Sequence, residues 1–170
     1  NLLKIYLSDN RLNHSKRVAE TAKRLAGHYG LNGEDLYCAG LLHDIAKQQT
    51  PELLTAKGLD VSKLDMCWQQ FPSVWHALVA EDVIEYECPG QYSHIFDCMR
   101  YHTTGHADMN DAAKVLFVAD FIEPERTHSD RLKVEDMAMS SLESAVAWIT
   151  YCSILKLTQK QCAIHPYTIN

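Results

Sequence analysis

An all-α fold in a single domain is what this sequence predicts, and three observations carry the prediction. The chain has 170 residues, the length of one ordinary domain. Hydrophobic residues make up 46% of it and recur at helical spacing over most of its length, which is enough to bury a sizeable core. No stretch alternates as a strand would, no repeat is present and no linker divides the chain. The sequence therefore predicts one helical bundle over residues 1–170.

The predicted helices of the first half begin at capping residues. Ser8 or Asp9 caps the first helix and Gly30 stops it, while Asn32 caps the second. Thr50, followed by proline and glutamate, is a strong start signal for the third. With the signals of the second half, these predict helices over about residues 9–29, 33–45, 51–57, 73–88, 94–102, 111–122 and 134–157.

Proline and glycine delimit the helices of the second half. Pro72 closes a mixed stretch that we expect to be a loop, and Pro89-Gly90 ends the helix that follows. Ser93 caps the next helix, and Pro124 ends the one after that. A single long helix with a continuous apolar stripe then completes the bundle.

Composition excludes several classes of protein. The net charge of −6 argues against broad nucleic-acid binding, which needs a basic surface. No apolar run has transmembrane length. None of the six cysteines forms a Cys-x-x-Cys motif, so we expect reduced core residues in a cytoplasmic protein. The sequence leaves open whether the protein is a monomer or a homodimer.

The strongest functional signal is His43-Asp44, where an apolar run stops at an adjacent imidazole and carboxylate. Burying an ionised Asp beside a His is costly unless a partner or a metal ion holds both. Adjacent helical residues point about 100° apart, so one ion could bind His43 while Asp44 reaches a second. Four further candidates lie on predicted inward faces or at helix ends, namely His14, His76, His102 and Asp120.

Each of these six residues, taken alone, has an ordinary explanation as a satisfied core residue. Together they place four imidazoles and two carboxylates among apolar stripes, which a helical core rarely needs. The mixture suits iron, manganese, zinc, nickel or cobalt. Six protein ligands are too many for one catalytic metal with an open position, so we predict two ions. The first is assigned His14, His43, Asp44 and Asp120, and the second Asp44, His76 and His102.

The ordered ligand set resembles that of the HD-domain metal-dependent phosphohydrolases. Local motifs are similar, more narrowly, to the bacterial YqeK group of symmetrical dinucleoside tetraphosphatases. The motifs are Asn13-His14-Ser15-Lys16-Arg17-Val18, Tyr101-His102-Thr103-Thr104-Gly105, Ala119-Asp120-Phe121-Ile122-Glu123-Pro124-Glu125-Arg126 and Ile164-His165-Pro166. The resemblance covers nearly the whole chain. It implies an HD-type helical bundle with a dinuclear, iron-containing site that hydrolyses diadenosine tetraphosphate, or a related dinucleoside polyphosphate, to two nucleoside diphosphates.

The expected mechanism is in-line attack by a metal-bridging hydroxide on a phosphorus of the polyphosphate. We assign Asp44, Lys47, His76 and His102 to catalysis, with Lys47 one turn after His43 and directed at phosphate. The residues expected to contact substrate are Arg17, Lys47, Thr103, Thr104, His106 and Arg126. Arg17 has the alternative of a surface position, and Arg126 that of an ion pair with Glu123. His106 stands where the resemblance implies an arginine. This replacement of arginine by histidine weakens a fixed positive charge at neutral pH.

Three other functions stay open. Another HD-type hydrolase could act on a nucleotide monophosphate, a guanosine alarmone or a cyclic dinucleotide, but only symmetrical cleavage of diadenosine tetraphosphate yields ADP alone. A mixed-valent di-iron oxygenase can use the same helical ligand set, and its turnover requires oxygen. A non-catalytic scaffold could bind metal and nucleotide without hydrolysis.

Overall fold

Residues 2–169 are the part of the chain that this computed structural model describes, and they contain eleven α-helices and no strand. The helices are α1 (Leu3–Tyr6), α2 (Asp9–His28), α3 (Gly33–Leu42), α4 (Pro51–Ala56), α5 (Asp65–Gln70), α6 (Pro72–Glu87), α7 (Phe96–Arg100), α8 (Asp111–Ile122), α9 (Arg131–Ser140), α10 (Leu142–Gln159) and α11 (Pro166–Ile169). The predicted all-α fold is confirmed. The domain bounds 1–170 stay a prediction, because Asn1 and Asn170 lie outside the described residues.

The central layer of the bundle is α2 packed against α3 and α8. The apolar stripe of α2 explains this position, because Val18, Ala22 and Leu25 are fully buried. The predicted limits of α2 agree with the structure, and Gly30 just beyond it adopts a positive φ of 68°. Asn32 caps α3 by accepting two backbone N–H hydrogen bonds.

The second helix is shorter than predicted, and this changes how the His-Asp pair is held. α3 ends at Leu42, so the expectation that it continues through Ile45 was wrong. Residues 43–48 form successive turns in which Ile45 N–H donates to Leu42 O and Lys47 N–H to Asp44 O, three residues back. The functional pair therefore lies in a turn after a helix.

Two further expectations were wrong. The stretch before Pro72 contains a 3₁₀ turn over Ser62–Leu64 and then α5, and Pro72 is the first residue of α6, a position that suits proline. The long C-terminal helix is divided in two at Ser141, whose backbone is extended. The Ser141 hydroxyl accepts a hydrogen bond from Ser144 N–H at 3.1 Å and so caps α10.

The cysteines are free thiols, and they differ in burial. Cys98 is buried, Cys162 is exposed and the other four are half-buried. The expectation of a core position is therefore wrong for Cys162, which lies just beyond the end of α10. No helix among residues 2–169 combines the length and the apolarity needed to cross a bilayer.

Gly40 allows α3 to touch α2. A Cβ atom at Gly40 would lie 2.5 Å from Ala19 Cα and 2.8 Å from Ala19 N, so the backbones of the two helices are in contact there. This crossing brings together His14 of α2 and His43 after α3, whose ring centroids are 5.5 Å apart. The distance between the two imidazoles thus depends on a residue without a side chain.

Replacing Gly40 with alanine should therefore destabilise the protein. The added Cβ meets backbone atoms, which cannot rotate away, so the helices must separate at a cost of about 1–3 kcal/mol. Chemical denaturation measures this loss. Gly27→Ala, in α2, is the matched control: its Cβ meets nothing within 4 Å, and it should gain roughly 0.5–1 kcal/mol. Equal effects of the two substitutions would contradict the close helix contact.

Candidate metal centre

Six side chains from five segments converge on one point of the bundle. Five of them are buried, and the side chain of Asp120 is 22% exposed. The set comprises His14 from α2, His43 and Asp44 from the turn after α3, His76 from α6, His102 after α7, and Asp120 from α8. These are the residues that the sequence assigned to two metal ions, and the fold brings them together.

The carboxylate of Asp44 lies at the middle of this cluster. Its Oδ1 is 3.1 Å from His76 Nε2 and 3.6 Å from His102 Nε2. Its Oδ2 is 3.6 Å from His43 Nε2 and 3.8 Å from His14 Nε2. Each oxygen therefore faces its own pair of imidazole nitrogens. His14 Nε2 also lies 3.1 Å from Asp120 Oδ1, which places the second carboxylate on the Oδ2 side.

Three of the four imidazoles are oriented by an acceptor at the far side of the ring. A ring nitrogen that donates to an oxygen carries the proton, so the other nitrogen presents a lone pair. The acceptors of the Nδ1 atoms are Gly40 O for His43 (2.7 Å), Met99 O for His102 (2.8 Å) and the Glu123 carboxylate for His14 (3.1 Å). In each ring, the nitrogen facing Asp44 is thus the one free to bind a cation.

The donor set fits metal ions. Nε2 of His43 is buried and has no hydrogen-bond partner among residues 2–169, a state that costs about 1–3 kcal/mol unless a ligand satisfies it. Ligand atoms of His14, His43 and Asp120 lie within 4.8 Å of one another, and so do those of His43, Asp44 and His102. Imidazole nitrogen together with carboxylate oxygen is typical of sites for transition metals.

Burial sets the protonation states that such a site requires. Loss of solvent lowers the pKa of His43 and that of His76 to about 4, so both rings are neutral at pH 7. Burial alone would raise the pKa of Asp44, but the neighbouring imidazoles, with His43 foremost, hold it well below its usual range. His43 and His76 are therefore neutral beside the ionised carboxylate of Asp44.

A cavity of about 420 Å³, the first cavity, opens beside the centre. Three of the predicted substrate contacts line it: Lys47, Thr103 and Arg126. Nζ of Lys47 is 3.1 Å from His76 Nε2 and 3.9 Å from Asp44 Oδ1. The main ion-pair partner of Arg126 is Asp120. The predicted partner Glu123 is farther away, with its Oε1 4.0 Å from Arg126 Nε.

The structure does not bring Arg17 or His106 to this cavity. Arg17 Nε donates to Glu123 at 2.7 Å, and its Nη2 lies 3.0 Å from a Glu125 carboxylate oxygen, so two carboxylates already neutralise its charge. His106 stacks on Tyr101 with ring centroids 4.5 Å apart. Thr104 is buried and lines the neighbouring cavity instead.

Sequence reasoning missed two cations at the first cavity. Arg11 Nη1 lies 3.1 Å from Asp44 Oδ2, and its spacing of three residues from His14 on α2 is a signal that could have found it. Lys156 of α10 also lines the cavity, and no local motif marks it. With Lys47 and Arg126, these residues place four cationic side chains in a lining that also contains Asp44, Asp120 and Asp130.

Comparisons with known proteins agree with this geometry. Residues 11–125 match the model of the HD domain. The chain is 31% identical over 181 residues to a symmetrical bis(5'-nucleosyl)-tetraphosphatase of Staphylococcus aureus, covering 99% of the chain and 88% of that protein. It is 29% identical over 170 residues to the enzyme of the same name from Bacillus subtilis, covering 98% and 89%.

A solved structure has the same fold. The crystal structure of a predicted HD superfamily hydrolase involved in NAD metabolism, from Clostridium acetobutylicum, aligns with a TM-score of 0.86 and 27% identity, over 99% of this chain and 89% of that one. The fold and the site together define a class of protein, a helical bundle that carries a buried cluster of imidazoles and carboxylates. The chain belongs to the HD-domain family of metal-dependent phosphohydrolases.

The metal-free protein should lose stability as the pH falls from 6.5 to about 4. His43 and His76 titrate near 4 when folded and near 6.5 when unfolded, so the unfolded chain takes up protons first. Stability that is fully present above pH 6.5 is therefore lost below it, by roughly 3 kcal/mol for each imidazole at pH 4. Chemical denaturation across this pH range measures the loss.

Comparison of variants isolates the contribution of one ring. His43→Gln should flatten the pH dependence relative to the wild type. Burial alone would lower the pKa of His14, but Asp120 and Glu123 raise it, so His14 acts in the opposite sense; its contribution is common to both proteins and cancels in the comparison. An unaltered pH dependence in His43→Gln would contradict the neutral buried imidazole.

Proposed function

We propose that this chain hydrolyses dinucleoside tetraphosphates symmetrically, with diadenosine tetraphosphate giving two molecules of ADP. The observation that carries the proposal is the position of Asp44, whose two oxygens face separate pairs of imidazole nitrogens. A carboxylate shared between two cations has this arrangement. The names of the two bacterial relatives support the choice of substrate and the central cut.

We propose two metal ions and, of the metals that suit these donors, iron; manganese, cobalt, nickel and zinc accept the same ligand types. One ion is assigned to His14, His43, Asp44 and Asp120, and the other to Asp44, His76 and His102. When bound, the ions would supply an activated water nucleophile and neutralise charge on phosphoryl oxygens. The cytoplasmic location and the choice between monomer and homodimer stay predictions.

The side chains around the first cavity hold the polyphosphate in place. The guanidinium groups of Arg11 and Arg126 and the ammonium of Lys47 line it, and each can donate charge-assisted hydrogen bonds to phosphate oxygens. Burial lowers the pKa of Lys47, while the charge of Asp44 opposes that effect. Thr103 adds a hydroxyl, whose oxygen lies 3.1 Å from His102 Nε2 and so next to the reacting atoms.

Residues behind the metal ligands fix their orientation. Glu123 is 2% exposed, accepts from His14 Nδ1 and is itself held by Arg17. We therefore assign Arg17 a positioning role through Glu123 in place of the predicted phosphate contact. The turns of residues 43–48 perform the same task for His43 and Asp44, because their backbone bonds leave both side chains directed inward.

Anaerobically purified protein should contain two metal ions per chain and convert diadenosine tetraphosphate into ADP alone. Asp44→Asn removes the charge of the shared carboxylate. The variant should bind less metal. Its activity should fall by more than roughly 10–100-fold, which is the usual loss when a group that hydrogen-bonds to a metal ligand is removed. Elemental analysis and chromatography of the products, made on the same sample, measure both. Asp82→Asn, whose carboxylate pairs with Lys63 at the surface, is the matched control.

Three outcomes would count against the proposal. AMP and ATP as products would contradict the central cut. A requirement for oxygen would favour oxygenase chemistry over hydrolysis. Hydrolysis that persists in metal-depleted His43→Ala and Asp44→Ala proteins would exclude a mechanism based on this centre.

A further inference from the structure

A second cavity adjoins the first one. It has a volume of about 450 Å³, close to the 420 Å³ of the first, and both lie within the range of sites for small ligands. Thr103, Ser153 and Lys156 line both cavities, so the two share a wall. Since the Thr103 hydroxyl oxygen is 3.1 Å from His102 Nε2, the wall lies directly beside the candidate metal ligands. The cleft therefore has two lobes of similar size that meet at the centre.

Phe71 gives the second cavity an aromatic surface. It is half-buried at the junction of α5 and α6, and it lies neither in the hydrophobic core nor among the half-buried side chains packed against that core. Its ring instead meets His165 edge to face, with centroids 4.8 Å apart, and both residues line the cavity. Core packing thus does not account for Phe71, whereas stacking against the flat face of a ligand does.

The polar groups of the second cavity favour an anion. None of the described residues that line it is acidic. Lys156, at the shared wall, is exposed and forms no ion pair with any residue from 2 to 169. A ligand that carries phosphate oxygens beside an aromatic part fits a lining without carboxylates and with an unpaired ammonium group.

We propose that the second cavity binds the second nucleoside diphosphate half of the substrate, with its base against Phe71 and His165 and its phosphates toward Lys156. This inference rests on the proposed function. The first half occupies the first cavity, so the bond between the halves falls at the shared wall beside the metal ligands. Two lobes of similar volume on either side of that wall would set the cut at the middle of the four-phosphate chain.

The test compares diadenosine tetraphosphate with adenosine tetraphosphate, which has one nucleoside and can place it in the first cavity. Phe71→Ala should lower kcat/KM for the dinucleotide by about tenfold, the effect of losing one base–aromatic stack. It should change the value for adenosine tetraphosphate by less than about twofold, because either lobe can hold its single base. Phe71→Tyr keeps the stacking surface and should restore the preference for the dinucleotide. Titration calorimetry with ADP should find two sites per chain in the metal-loaded wild type and one in Phe71→Ala.

Tyr151→Ala is the matched control, because Tyr151 is an exposed aromatic residue that lines neither the first nor the second cavity. It should leave both substrates and both ADP sites unaffected. Equal loss on the two substrates in Phe71→Ala, or a single ADP site in the wild type, would overturn the second subsite while leaving symmetrical hydrolysis intact. Wild-type protein that binds two ADP molecules but does not cleave diadenosine tetraphosphate would overturn the proposed function and, with it, this assignment of the second lobe.

Discussion

The carboxylate of Asp44, surrounded by four imidazoles, is the interaction on which the rest of the centre depends. Asp44 is 3% exposed, and a charge so deeply buried is tolerated only where partners compensate it. Each of its oxygens meets two imidazole nitrogens, so the charge draws together side chains from α2, α6 and the turns after α3 and α7. The close crossing of α2 and α3 at Gly40 and the acceptors behind the rings then fix the directions in which those nitrogens point.

Charged side chains also surround the centre, where they line the first cavity. The chain carries a net charge of −6, yet the described side chains that line the first cavity include four cations beside three carboxylates, those of Asp44, Asp120 and Asp130. With metal ions bound to Asp44 and Asp120, the cations of this cleft would give a polyanion a favourable local charge. The acidic composition and a phosphate substrate are thus compatible, because local arrangement rather than total charge decides binding.

Much of the bundle and the convergence of the six candidate side chains could be predicted from the sequence, because helical spacing and capping are local properties. His14 and Asp120 were recognised by their places on apolar stripes, and both lie at the centre. The end of α3 was misplaced because Ile45 and Ala46 continue its apolar pattern, although tertiary contacts hold them in turns. Arg17 is held by Glu123, which is 106 residues away, and Lys156 reaches the first cavity from α10; a single sequence carries no signal for such long-range placements.

Anomalous scattering from crystals of anaerobically purified protein, recorded at the absorption edge of the metal, would locate the ions directly. Two peaks are expected on opposite sides of the Asp44 carboxylate, one next to His14, His43 and Asp120 and the other next to His76 and His102. A single peak that Asp44 does not share with a second, or no peak among these side chains, would contradict the paired-ion centre and the hydrolysis derived from it.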